Sequence, residues 1–204
     1  GEKIDGRPVG TFGDVSMFSF HATKVFHTVE GGCLAYNDGT FKKKFELIRQ
    51  FGIENQEDII EIGTNAKMTE MHAAMGLCNL RHIGETIAKR KSLAQRYIHN
   101  LKGAQGIELF FNQNNVEYNY SYFPVLFRSI SRDRAAKVLA DNNVFARKYF
   151  YPPANEYKVY GGMFKPDETP VAKDISYNIL TLPLYPDLSE QEVDFICCLI
   201  LSII

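Results

Sequence analysis

The sequence predicts an α/β body followed by a smaller α+β domain, and three features carry that prediction. Short β-prone runs and one helical run share the first 85 residues. A long stretch of helical apolar spacing then starts at Thr69 and continues towards Gly103. Beyond residue 104, strand-like and helix-like segments return and close on a Ser-Glu-Gln-Glu capping signature at 189–192. Residues 1–85 are therefore expected to form the first body, and residues 86–204 the long helix with the small domain.

Each element has its own signal. Asp14 to Phe20, DVSMFSF, alternates and is β-prone, so it reads as a short strand. Lys24 falls just after it, in a loop. GGCLAYND gives a second strand behind the paired glycines Gly31 and Gly32. FKKKFELIRQFG reads as a helix closed by Gly52. From Thr69, the residues Met71, Met75, Cys78, Ile87, Ala94, Ile98 and Leu101 keep helical spacing, with Thr69 as N-cap and Gly103 as stop. A single helix of that length spans ~50 Å at 1.5 Å per residue, with a kink expected near Gly84. GIELFFN and YNYSYFPVLF read as strands, SRDRAAKVLADNNV as a helix capped by Ser131, and VFARKYFYPP as a further strand. Ser189 and Glu192 supply a capping box, and Val193, Ile196, Ile200 and Ile204 give the last helix an apolar face.

Bulk properties narrow the function classes. A hydrophobic fraction of 45% and a charged fraction of 23% are those of a globular domain. A formal net charge of -1 gives no electrostatic footprint for a nucleic-acid partner. No segment reaches the ~18 apolar residues of a membrane span, so no membrane partner is expected. Cys33, Cys78, Cys197 and Cys198 form no C-x-x-C arrangement, so no metal site is expected. Free thiols suit a reducing cytoplasm. The chain begins at Gly1 in a polar, turn-like stretch, as either a processed tag or a cut through a longer protein would.

The stretch FSFHATKVFHTVEGG, residues 18–32, concentrates the chemistry-bearing types. A lysine whose amine is desolvated becomes a nucleophile towards carbonyls. Ser19 and Thr23 are nearby hydroxyls able to meet a phosphate, and Gly31 and Gly32 let backbone approach closely. The plainer reading is that a loop lysine faces solvent, that Ser19 bonds a neighbouring backbone group, and that Asn65 caps a helix. His21 and His27 flank Lys24 and are open to three readings, stacking on a ring, orienting a substrate or filling the loop, and neither is counted as catalytic. Met68, Met71 and Met75 share one helical face, read as core or interface.

The same stretch resembles a known family. GDVSMFSFHATKVFHTVEGG is similar to the lysine segment of the DegT/DnrJ/EryC1/StrS sugar aminotransferases, through Gly13, Asp14, Phe18, Ser19, Phe20, Lys24, Glu30, Gly31 and Gly32. GTNAKMTEMHAAMGLCNL resembles a second family block through Gly63, Asn65, Lys67, Met68, Ala73, Ala74 and Gly76. LTLPLYPDLSEQEVDFI resembles a third. The resemblance implies the C-terminal half of a fold-type I aminotransferase: the remainder of the large-domain sheet, a long connecting helix and a small α+β domain. It implies pyridoxal 5′-phosphate held by Lys24 as catalytic acid/base. Ser19 would bond the cofactor phosphate, and Asn65 would reach the phosphate in the neighbouring subunit's site, hence a homodimer with shared active sites. The implied reaction moves an amino group from an amino-acid donor, glutamate, to the keto group of a dTDP- or UDP-linked deoxysugar. The carboxylate facing the pyridine nitrogen is expected upstream of Gly1, so activity of these 204 residues alone is not expected. Two alternatives remain: an inert or interaction fragment, and a sugar dehydratase relative, in which histidine replaces the lysine that is present here. A departure lies in YFYPPANEY, where relatives carry a histidine and this chain has Ala154 and Asn155.

Overall fold

The computed structural model describes residues 1–111 and 113–204, which divide into two units. In chain order the principal elements are β1 (Lys3–Ile4), β2 (Arg7–Pro8), β3 (Val15–Ser19), β4 (Gly32–Tyr36), α1 (Phe41–Arg49), α2 (Glu70–Leu80), α3 (Ile83–Leu101), β5 (Ile107–Leu109), β6 (Val116–Glu117), β7 (Phe123–Phe127), α4 (Arg132–Asp141), α5 (Pro170–Asn178), β8 (Ile179–Leu182) and α6 (Glu190–Leu201).

The first unit comprises Gly1–Thr86 and Asn115–Asn119. β3 and β4 pair antiparallel, with Val15 opposite Tyr36 and Ser19 opposite Gly32. β1 lies between β2 and β6 in a separate small sheet. Behind β4, the Tyr36 ring meets Phe41 and Phe45 edge-on at 6.2 and 5.3 Å, which seats α1 against the strand end. The expected stop at Gly52 is observed: its φ is +75° and its amide donates to Leu47 O at 2.7 Å, satisfying a helix-end carbonyl.

Thr69 caps α2, its side chain accepting from the His72 amide at 3.3 Å. The single long helix is not observed. The Arg81 and His82 amides donate to Cys78 O and Asn79 O, three residues back rather than four, and this tight turn separates α2 from α3. Gly84 sits inside the first turn of α3, beyond the break. Met71 is 81% exposed, and Met68 and Met75 are 40% exposed, so the methionine face is not core within this chain.

The second unit comprises Ile87–Asn114 and Tyr120–Ile204. Its antiparallel sheet runs β5-β7-β8, with Ile107 opposite Phe127 and Phe123 opposite Leu182. Tyr97 and Leu101 of α3, Ala135 and Leu139 of α4, and Val193, Ile196 and Ile200 of α6 pack with Phe123, Val125 and Phe127 into one core. Among the described residues, every buried apolar side chain of the core belongs to this unit. The Tyr97 ring stacks on Phe123 at 4.6 Å, and its hydroxyl donates to Pro183 O at 3.0 Å. The Ser131 cap and the Ser189–Glu192 capping box are both formed.

Two strand expectations need correction. VFARKYFYPP makes no strand: Arg147 forms one isolated bridge to Thr181, and the chain then turns through Ala154–Glu156 and Lys158–Tyr160. Pro152 and Pro153 have no amide to give a ladder, which accounts for the change. The Tyr118–Tyr122 half of YNYSYFPVLF stays outside β7. α5 and β8 are additional elements. All four residues of β8 are buried, so the alternation that announces a half-exposed strand is absent there.

Candidate active site

The end of β3 launches the loop that carries Lys24. Phe20 N donates to Gly31 O at 2.8 Å and Thr28 N to Phe20 O at 2.9 Å, closing the loop at its foot. Inside it the Phe20 and Phe26 rings meet edge-on at 5.0 Å. Lys24 N donates to His21 O at 2.9 Å, so the lysine sits on a turn of its own. Its side chain is half-buried, and its Nζ has no hydrogen-bond or ion-pair partner among the described residues.

The histidines serve the loop. His21 Nδ1 lies 2.9 Å from Thr23 Oγ1, and His21 Nε2 lies 3.7 Å from Glu30 Oε1. Thr23, a candidate phosphate donor by sequence, is therefore committed to His21. Ser19 is exposed, and its Oγ accepts one long bond from His21 N at 3.5 Å. The glycine pair has separate steric reasons. A Cβ on Gly31 would collide with Thr28 Oγ1 and lie 2.8 Å from Met68 Cε, and one on Gly32 would lie 2.7 Å from Phe18 O across the hairpin.

Asn65 belongs to a segment strapped onto the end of α1. Thr64 N donates to Ile48 O at 2.8 Å, Ala66 N to Arg49 O at 3.0 Å, and Asn65 forms a bridge with Gln50. Its Oδ1 accepts from Lys67 Nζ at 2.7 Å, while that ammonium lies 4.4 Å from the Phe51 ring centroid. Asn65 is exposed and does not cap α2, a task done by Thr69. Ser19 and Lys24 are thus brought to one end of the β3–β4 hairpin. No hydrogen bond joins Asn65 to either among the described residues.

Sequence reasoning missed two residues against this loop. Thr28 is 3% exposed, and its Oγ1 donates to Glu30 O at 2.7 Å. Asn79 of α2 donates through Nδ2 to His27 O at 2.9 Å. The available signal was Gly76, a glycine inside a helical run, which normally marks a close approach.

Comparison with known proteins agrees over the whole chain. The DegT/DnrJ/EryC1/StrS aminotransferase family matches residues 1–200. A dTDP-4-amino-4,6-dideoxy-D-glucose transaminase of Shigella dysenteriae is 35% identical over 96% of this chain and 54% of its own length. A GDP-perosamine synthase of Escherichia coli O157:H7 is 30% identical over 97% and 54%. The PLP and PMP forms of Spr1654 from Streptococcus pneumoniae superpose with TM-scores of 0.91 and 0.92 at 26% identity, covering 99% of this chain and 54% of theirs. The chain spans about half the length of the curated relatives it matches, and its mixed α/β architecture is that of a partial fold-type I aminotransferase. On its sequence and its fold alike, the chain belongs to the DegT/DnrJ/EryC1/StrS aminotransferase family.

Proposed function

We propose that the protein containing this chain transfers an amino group from an amino-acid donor, glutamate, to the keto carbon of a dTDP- or UDP-linked deoxysugar, using pyridoxal 5′-phosphate. The observation that carries this reading is the Lys24 amine: half-buried on a pinned loop, committed to no other group, and set between Ser19 and the Gly31–Gly32 pair. The names of the relatives, which are dTDP-sugar and GDP-sugar enzymes, support the substrate class.

The residues present fit that cofactor. Lys24 would hold it covalently through Nζ, and the exposed Ser19 hydroxyl would donate to its phosphate. Asn65 would reach the phosphate in a neighbouring subunit's site, its Nδ2 having no partner among the described residues. That role, with the exposed methionine face at Met68, Met71 and Met75, supports a homodimer with shared sites. Bound pyridoxal phosphate supplies an electron sink for charge developing at the substrate carbon. With the cofactor in place, Lys24 Nζ would take the proton from the donor's α-carbon and, in the second half-reaction, would deliver a proton to the sugar carbon. The free thiols of Cys33, Cys78, Cys197 and Cys198 support a cytoplasmic setting.

The test uses the full-length protein with added pyridoxal phosphate. Borohydride trapping followed by peptide mass spectrometry should place the cofactor on Lys24, and Lys24→Ala should abolish both the adduct and the accompanying absorption band. Trapped cofactor retained by Lys24→Ala refutes the assignment.

A further inference from the structure

The Lys24 loop is joined to α2 at two points that the proposed chemistry does not use. Thr28 ties the loop's own limbs together: its amide donates to Phe20 O at 2.9 Å and its Oγ1 to Glu30 O at 2.7 Å. Its methyl group faces α2 at the position where the helix has no side chain. A Cβ on Gly76 would lie 2.7 Å from Thr28 Cγ2, a separation that real Cβ atoms do not show. One turn further along α2, Asn79 Nδ2 donates to His27 O at 2.9 Å. Directly after Thr28 the chain passes Val29 at φ +70°, a region that β-branched residues avoid. Strain of this kind persists only where the surroundings over-determine the backbone. On either side of Val29, Thr28 is bonded to Glu30 O and His27 O is held by Asn79.

We propose that Thr28, seated in the notch at Gly76, and Asn79 are positioning residues that fix the loop on α2 and so set the presentation of Lys24 Nζ. The proposal rests on Lys24 being the reactive amine and identifies what holds it in place. Neither residue touches a reacting atom. Thr28 acts through the loop backbone at Phe20 and Glu30, and Asn79 through the backbone at His27.

The test compares full-length Thr28→Val, Asn79→Ala, Gly76→Ala and the double variant Thr28→Ser/Gly76→Ala with the parent. The first readout is pulse acetylation without added cofactor, with Lys24 quantified by mass spectrometry against Lys42, Lys43 and Lys44 of α1. The second is the rate of borohydride-trapped cofactor at Lys24. Thr28→Val removes the Oγ1 bond to Glu30 O, and Asn79→Ala removes the Nδ2 bond to His27 O with its longer 3.4 Å contact to His27 Nδ1. Each should raise Lys24 acetylation about fivefold and slow cofactor trapping by a similar factor, the size of one net intramolecular hydrogen bond. The α1 lysines should not change. Gly76→Ala should behave alike. Adding Thr28→Ser should restore the parent rates, because serine keeps Oγ1 and vacates the space of the methyl group.

Three results overturn the proposal: unchanged Lys24 acetylation, a rise shared with Lys42, Lys43 and Lys44, or a double variant no better than Gly76→Ala. Asn79, half-buried on its helix, keeps the test decisive if Thr28→Val does not fold. If acetylation responds as stated but even the parent traps no cofactor at Lys24, the cofactor reading fails while the latch stands.

Discussion

Gly52→Ala should unfasten the Asn65 segment while leaving the Lys24 loop intact. Gly52 has φ +75°, and a Cβ there would overlap the Glu61 carbonyl oxygen and lie 2.6 Å from Glu61 C. Placing alanine in the left-handed region costs about 1 kcal/mol. Clearing the overlap requires the 59–63 backbone to move away from Gly52. That movement, with the shift it forces at residue 52, removes the bonds from Ile60 N to Gly52 O at 2.9 Å and from Gly52 N to Leu47 O at 2.7 Å. Each lost bond costs about 1 kcal/mol net. The segment is therefore destabilised by about 3 kcal/mol, which at 1.4 kcal/mol per decade is about a hundredfold in its opening equilibrium. Hydrogen-exchange mass spectrometry reads this directly. Peptides covering residues 47–66 should lose about two decades of protection, while those covering 18–32 keep theirs. Protection at 47–66 within a factor of about three of the parent would refute the steric reasoning.

Two further outcomes follow from the second unit. Ser189→Ala removes one side of the capping box, in which Ser189 N donates to Glu192 Oε2 at 2.7 Å and Glu192 N to Ser189 Oγ at 3.2 Å. It should lower stability by about 1 kcal/mol in urea unfolding, with Ser189→Asp recovering most of the loss. Asp194 accepts from Arg96 Nε at 2.7 Å and from Asn100 Nδ2 at 2.7 Å, and these bonds, Arg96 first, hold its carboxyl down at about 2 against an ordinary 3.8. A depressed carboxylate stabilises the fold above its unfolded-state value, and that contribution is lost as pH falls through the folded-state value. Asp194→Asn should therefore flatten the acid limb of the stability profile between about pH 4 and pH 2.

The parts of the fold legible in the sequence were those fixed by local chemistry. The alternation of Val15–Ser19, the caps at Thr69, Ser131 and Ser189, and the stops at Gly52 and Gly103 all act within a few residues of themselves. Apolar spacing did not reveal the break at Arg81 and His82. The same residues satisfy one long helix or two short ones, and only the shift to bonds three residues back distinguishes them. β8 escaped notice because burial on both faces removes its period-two pattern. At the candidate site, Lys24 and Ser19 stood out through the resemblance of their segment to the family, and the structure places both at one end of the β3–β4 hairpin. Thr28 and Asn79 were not, because their role depends on Asn79 lying 52 residues away in sequence from His27. Gly76 was visible, but the methyl group it makes room for was not.

The strand at 116–117 bears on how the protein can be dissected. Lys3 and Ile4 find their ladder partners in Glu117 and Val116, and Asp5 N donates to Asn115 O at 2.8 Å. The Lys24 body is thus assembled from two stretches of chain separated by α3 and β5. A fragment cut after Thr86 would keep Ser19, Lys24 and Asn65 yet leave β1 paired to β2 alone, a two-residue ribbon too short to persist in water. Excision by sequence boundary would therefore damage the body it was meant to isolate. A recombinant version of this unit needs residues 115–119 supplied again, through a short engineered linker or as a separate peptide.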